Sequence, residues 1–294
     1  MHGMIRFVAL LLVAAGNWVM LTLMLALVFK AGEGFWDGSP MPQWVLYASA
    51  LAVVVLGALS ASRLGEWVVR LFYPIRKLTR REAAKLEPAF ERVRAAYAAQ
   101  LGRRLDADLF LIDDPMPQAI ALGRGTIAVT RGALDVAEES ELAGVLAHES
   151  GHLHHKDSMV TLALIGMNGV TYLMATVMQY LLPWLVVAML AAVVIKGLVF
   201  TWVALLIVAV PVLLVVAVFL NVGITWVVSL MLRLADRSIE YRADRFAGAL
   251  GFGPGLVGFL ERLAGMEAKT EHRFLVMYLQ SHPPTALRID RLEE

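Results

Sequence analysis

Between Met159 and Leu232 the chain carries a single charged side chain, Lys196. A helix crosses a bilayer with roughly 20 apolar residues, and in water a stretch like this would leave its apolar surface uncovered; it is long enough for two or three crossings. Two runs of similar character precede it, Ile5 to Phe29 and Trp44 to Ser60. The first exceeds the roughly 7 to 15 apolar residues of a signal peptide and reads as a retained anchor. Of the 294 residues 59% are hydrophobic and 17% charged, so a membrane protein is the expected class. A soluble domain has about half and about a quarter. The net charge of +1 gives no electrostatic footprint for nucleic acid. With no Cys in the chain, disulfides and thiolate ligands are excluded, and a metal would have to be held by His and carboxylates.

Charge placement suggests the topology. The loop between the first two runs holds Lys30, Glu33 and Asp37, whereas Arg63, Arg70, Arg76, Lys77, Arg80 and Arg81 follow the second run. The positive-inside rule then puts both ends of this hairpin in the cytoplasm. Lys196-Gly197 reads as an external turn, and Arg233, Arg237, Arg242 and Arg245 mark another cytoplasmic exit. Two spans satisfy both clusters; three do not. The expected fold class is a mainly α membrane protein with four transmembrane helices and a cytoplasmic α+β domain. In this reading residues 1–66 form a transmembrane hairpin and 67–157 the first half of the cytoplasmic domain, while 158–232 form a second hairpin and 233–294 the second half. The later spans exceed the required length, which predicts tilt or a kink near Pro183 or Pro211. In the soluble part, Glu82 to Leu101 has helical spacing, and Asp108 to Ile112 and Thr126 to Thr130 read as short strands.

The stretch from Glu138 to His155 reads as one helix, with acidic residues in its first turn and Leu142, Val145, Leu146 and Leu153 at helical spacing. It contains His148-Glu149-Ser150-Gly151-His152. Four residues on a helix bring two imidazoles to one face, where they can share a tetrahedral ion, and the adjacent Glu149 can take a proton from a water there. The competing reading is a surface helix with solvated histidines. A further His six residues beyond the second ligand would complete one known ligand set, but Ser158 stands there. Glu240 is the candidate third ligand, with Asp244 four residues on, placed to hold the free ring nitrogen of a ligand His. Alternatively, both pair with Arg237, Arg242 or Arg245 on a solvated helix. An even number of spans returns Glu240 to the side of His148, and two His with one Glu leave a fourth position open, as catalytic Zn2+ requires.

Three ordered motifs carry a family resemblance: Ala147-His-Glu-Ser-Gly-His152, then Glu240-Tyr-Arg-Ala-Asp244-Arg-Phe-Ala247, then Ser281-His-Pro-Pro284 with Arg288. Together they resemble the HtpX family of bacterial membrane metallopeptidases, relatives of the CAAX prenyl endopeptidases and Oma-type proteases. The resemblance implies a gluzincin-type domain split by a transmembrane hairpin, with one Zn2+ on His148, His152 and Glu240 and with Glu149 as general base. It also implies polypeptide substrates, misfolded or damaged membrane proteins cut at the cytoplasmic face of the inner membrane.

Other residues are open at this level. His282, stiffened by Pro283 and Pro284, could donate to the tetrahedral intermediate or simply form a turn, and Arg288 could orient the site or pair with Asp290 or Glu293. Ile127, Ala128 and Val129 lie in the alternating stretch Thr126 to Thr130, which could be an edge strand whose free backbone groups pair with an extended substrate, or an ordinary half-buried strand. Gln118-Ala119-Ile120 stands ahead of this strand where the family carries an Asn-Ala pair. His154 and His155 read as a solvated helix end, and Asn17, Asn168, Gln179 and Asn221 as interhelical hydrogen-bonding residues. A chaperone or scaffold that keeps the fold without catalysis is the alternative function; a transporter finds little support in spans whose sole charge is Lys196.

Overall fold

The computed structural model describes residues 2–32, 42–194, 238–267 and 285–293, together with isolated helical positions between 215 and 226. The chain forms two compact units. One comprises residues 4–58 and 164–231, the other 1–3, 59–163 and 232–294.

The first unit holds helices α1 (His2–Gly32) and α2 (Gln43–Ser60) and most of α7 (Asp157–Val194). Arg6–Leu23 and Gln43–Ser60 are long and apolar enough to cross a membrane. Their polar groups face each other rather than outward. Asn17 donates to the Val13 carbonyl at 2.8 Å and reaches Asn168 at 3.4 Å, and the Thr22 and Ser49 hydroxyls lie 2.6 Å apart. Phe7, Leu11, Leu51 and Val54 are exposed. The turn expected at Lys196-Gly197, the return span, Pro211 and Asn221 lie outside the described residues.

The second unit is built on a four-stranded sheet of order β1-β2-β4-β3, with β1 (Ile75–Lys77), β2 (Asp108–Ile112), β3 (Ala119–Leu122) and β4 (Thr126–Thr130). β2 and β4 run parallel; β1 and β3 are antiparallel to their neighbours. Around it lie α3 (Arg63–Phe72), α4 (Arg80–Leu101), α5 (Arg131–Val136), α6 (Glu139–His154), the helix α8 over residues 238–249, α9 (Gly253–Glu267) and α10 (Thr285–Glu293). Leu86, Phe90 and Val93 of α4, Leu111 and Ile127 of the sheet, Leu142 and Leu146 of α6, and Leu256 and Leu260 of α9 form one core.

Helices α6 and α9 cross at glycines. A Cβ on Gly144 would collide with the backbone of Leu256, and one on Gly255 with the Ser140 carbonyl. This close approach, reinforced by Arg262 gripping Glu141 at 2.9 and 3.0 Å, fixes the start of α6.

The expectation that Ile127, Ala128 and Val129 form an edge strand is corrected. β4 pairs on both sides, with β2 and with β3, and every one of its residues is buried. Its alternation of Thr with apolar residues suggests one wet face, but both hydroxyls are satisfied internally: Thr126 donates to Glu66 at 2.8 Å and Thr130 to the Met116 carbonyl at 2.6 Å. Among the described residues the edge beside β4 is β3. Thr130 N donates to the Gln118 carbonyl, so Gln118, Ile120 and Leu122 point their backbone groups at β4. Those of Ala119 and Ala121 point to the free edge.

Candidate metal centre

Two helices, α6 and α8, bring the candidate ligands together. Helix α6 supplies His148, Glu149 and His152, all but His152 fully buried, and Gly151 lets α8 lie against it: a Cβ there would stand 3.1 Å from Ala243 Cα. On α8, Glu240 and Asp244 are one helical turn apart and face the same way. Glu240 places one carboxylate oxygen 3.4 Å from His148 Nε2 and the other 3.4 Å from His152 Nε2, and the two Nε2 atoms are 3.2 Å apart.

These distances suit a shared ion. Bonds of about 2.0–2.1 Å in a tetrahedron put ligand atoms about 3.3 Å from one another. His148, His152 and Glu240 can thus each offer one atom to a single metal. With both Nδ1 atoms turned to carboxylates, the two Nε2 lone pairs converge at 3.2 Å beside the Glu240 carboxylate, an arrangement that a shared cation relieves. The residues fit a divalent cation.

Each of these two histidines has a carboxylate behind it. His148 Nδ1 donates to Asp244 at 2.8 Å, and Asp244 is held by Arg288 of α10 through two bonds, 2.6 and 2.9 Å. Arg288 also lies 3.7 Å from Glu240 and is buried. His152 Nδ1 lies 3.5 Å from Asp157, which accepts from Arg242 at 2.7 Å. Such pairs fix the tautomer that leaves Nε2 free for metal.

Burial alone would lower the His148 pKa, but the bonds to Asp244 and then to Glu240 outweigh it and raise it above the ordinary value. His152 shows the same balance, with Asp157 and Glu240 overcoming desolvation. Burial pushes the Asp244 carboxyl up, and the bonds from His148 and Arg288 more than reverse this, down to about 2. Glu149, Asp157, Glu240 and Asp244 outnumber Arg242 and Arg288 around the two imidazoles, so the pocket favours added positive charge.

Asp157 was not singled out by its sequence context, although a carboxylate five residues after the second His is a usable signal. It reaches the site because Lys156 takes φ 60°, in the left-handed region, and so ends α6 in a tight turn into α7. Arg242, read in the sequence as a topological charge or as a partner of Glu240 and Asp244, pairs with Asp157. His154 is not simply solvated: Tyr97 and Arg103 reach its Nδ1 at 3.1 and 2.9 Å, and its ring packs on Phe246. His282 lies outside the described residues. A cleft opens beside His148 and Glu149, walled by Gln118 and Ala119 at the start of β3, by Val145, and by Phe259 and Leu263 of α9.

Residues 81–294 match the model of peptidase family M48. A protein described as "Protease HtpX homolog" from Salinibacter ruber (strain DSM 13855 / M31) is 27% identical over 266 residues, covering 77% of this chain and 80% of that protein. A second of the same description, from Listeria monocytogenes serovar 1/2a, is 26% identical over 209 residues, 63% of this chain and 66% of its own. A third, from Acidiphilium cryptum (strain JF-5), is 44% identical over 68 residues, 21% of this chain and 24% of its own. The crystal structure of S. mikatae Ste24p covers 99% of this chain and 65% of its own at 16% identity and a TM-score of 0.46, a likeness too loose to define a shared fold. The chain belongs to peptidase family M48, as a metallopeptidase similar to the HtpX proteases.

Proposed function

We propose that this metallopeptidase is a zinc endopeptidase embedded in the bacterial inner membrane, cutting misfolded or damaged membrane proteins at the cytoplasmic face. The observation that carries the chemistry is the convergence of His148 Nε2, His152 Nε2 and Glu240, all within 4.8 Å, beside Glu149 and an open cleft. All-nitrogen and oxygen ligation by two imidazoles and one carboxylate favours zinc. The membrane reading is supported by two apolar helices with inward polar groups and by the Arg clusters that flank them. In this reading four spans cross the bilayer, and the second pair interrupts the catalytic domain between α6 and α8.

Held by His148, His152 and Glu240, a zinc ion would acidify a water and polarise a peptide carbonyl. Glu149 stands in the cleft to take that water's proton on its carboxylate as the water oxygen bonds to the peptide carbon, and to return it to the amine as the C–N bond breaks. Asp244 and Asp157 hold the imidazoles in the ligand tautomer, and Arg288 keeps Asp244 ionised. Extended substrate adds to the free edge of β3, where Ala119, which lines the cleft, and Ala121 offer backbone groups. In this reading substrate recognition lies one strand over from Ile127 to Val129.

The test is purified Glu149→Gln in detergent or vesicles, assayed on an unfolded membrane protein with metal content measured in parallel. Retained metal with cleavage reduced at least about a hundredfold is expected. Undiminished cleavage by metal-loaded mutant overturns the mechanism.

A further inference from the structure

Helix α3 turns its charged side inward and its apolar side outward, the reverse of a helix on a water-facing domain. Glu66 is 1% exposed, accepting from the Arg124 backbone N–H at 2.5 Å and from Thr126 Oγ1 at 2.8 Å. Arg70 donates to Thr126 at 2.8 Å and lies over the Phe110 ring, and Arg63 pairs with Asp106 at 2.5 Å. Gly123 has no room for a Cβ because the Glu66 side chain occupies that space. The three charged residues of α3 therefore all serve to fasten it to the β2–β4 side of the sheet.

Opposite them, Leu64, Trp67, Val68, Leu71 and Phe72 recur at helical spacing and are exposed, Trp67 at 52%, Leu71 at 61% and Phe72 at 82%. Such a contiguous stripe is costly in water and calls for an apolar partner. The adjoining chain says which. Helix α3 begins three residues after Ser60, the end of a helix long and apolar enough to cross a membrane. The junction is tight: Ser62 Oγ donates to the Leu59 carbonyl at 2.5 Å and accepts from Leu64 N at 3.2 Å, and a Cβ on Gly65 would strike the Ser60 carbonyl. The first turn of α3 is thus held against the last turn of α2. Trp67 and Tyr73 are residue types that settle at the headgroup level, and Arg76, Lys77, Arg80 and Arg81 follow.

We infer that α3 is an interfacial helix whose Leu64, Trp67, Val68, Leu71 and Phe72 face lies in the headgroup and acyl boundary of the bilayer that α2 enters. This rests on reading α2 as a membrane span. The helix gives the peptidase unit a foot on the lipid surface. Through Glu66 that foot holds the turn between β3 and β4, and Ser158 Oγ ties the same turn to the start of α7 by donating to the Gly123 carbonyl at 2.7 Å.

The chain has no Cys, so single cysteines can be introduced without background. Leu64→Cys, Val68→Cys and Leu71→Cys, with Glu87→Cys as a water-facing reference and Val54→Cys within α2, are each spin-labelled in the full-length protein. They are reconstituted in vesicles of phosphatidylethanolamine and phosphatidylglycerol, with retained metal binding as the check on folding. Accessibility to oxygen, which partitions into lipid, is compared with that to a water-soluble nickel chelate. The expected result is an oxygen-to-nickel ratio several-fold higher at the three α3 sites than at Glu87. Nickel access at α3 equal to that at Glu87, with Val54 shielded, overturns the inference and leaves the span intact. Labels at α3 immobilised and shielded from both probes also overturn it, because a protein then covers the stripe. Nickel access at Val54 as well removes the span reading, and the inference with it.

Discussion

Arg288 holds both carboxylate oxygens of Asp244, and Asp244 accepts from His148 Nδ1 at 2.8 Å, so a residue near the C-terminal end of the described chain aims the His148 imidazole on α6. A lysine keeps the charge but cannot form the fork. Arg288→Lys is expected to raise the zinc dissociation constant about tenfold, read by competition with a chromogenic chelator. Unchanged affinity would show that the fork is dispensable.

Asp157 plays the matching part behind His152 at a longer distance, 3.5 Å against 2.8 Å. Asp157→Asn should therefore weaken zinc binding less than Asp244→Asn, both within the roughly 10- to 100-fold range of such changes. The same chelator titration ranks them, and the reverse order would contradict the geometry.

Ala121 points its backbone N–H away from β4. Ala121→Pro removes that donor without breaking the β3–β4 ladder. The substitution should lower kcat/KM for an extended peptide by at least about fivefold, the loss of about one hydrogen bond. Zinc content and thermal midpoint should stay unchanged. Wild-type kinetics would exclude β3 as the substrate strand.

Gly144 sits where α6 meets the backbone of Leu256, which has no flexible end to move aside. Gly144→Ala should destabilise the peptidase unit by about 2 kcal/mol or more, followed by thermal unfolding in detergent. A variant as stable as wild type would mean the helices can separate freely.

Arg76 grips Glu82 through two bonds of 2.8 and 2.9 Å at the N-terminus of α4, where Glu82 also accepts from Thr79 N at 2.7 Å. The Arg76 bonds, then the Thr79 backbone bond, hold the Glu82 carboxyl well below its usual range. A carboxylate depressed in the folded state contributes stability above its unfolded pKa of about 4.3, and loses it as pH falls toward the folded value. Arg76→Met should accordingly move acid unfolding to higher pH, monitored by circular dichroism. An unshifted acid limb would assign that transition to other groups.

Local patterns were legible in the sequence. The spacing of Leu142, Val145 and Leu146 placed His148 and His152 on one helix face, and α6 spans Glu139–His154, close to the expected stretch. Helix α4 and strands β2 and β4 were also readable from periodicity. What periodicity cannot report is which strand has a free edge. β3 is four residues of small and aliphatic side chains after a Pro-containing loop, and only its antiparallel pairing with β4 made β4 internal.

The sequence by itself determined the chemistry available: His and carboxylate donors, no thiolates, a Glu beside the first ligand His, and apolar runs that require a bilayer or deep burial. The tertiary structure alone decided who meets whom across long separations. It set Glu240 between His148 and His152, Asp157 and Arg242 behind His152, Arg288 behind Asp244, and the charged side of α3 against the sheet. Those pairings depend on glycine contacts and satisfied buried polar groups between distant segments, and such contacts leave no periodic trace along the chain.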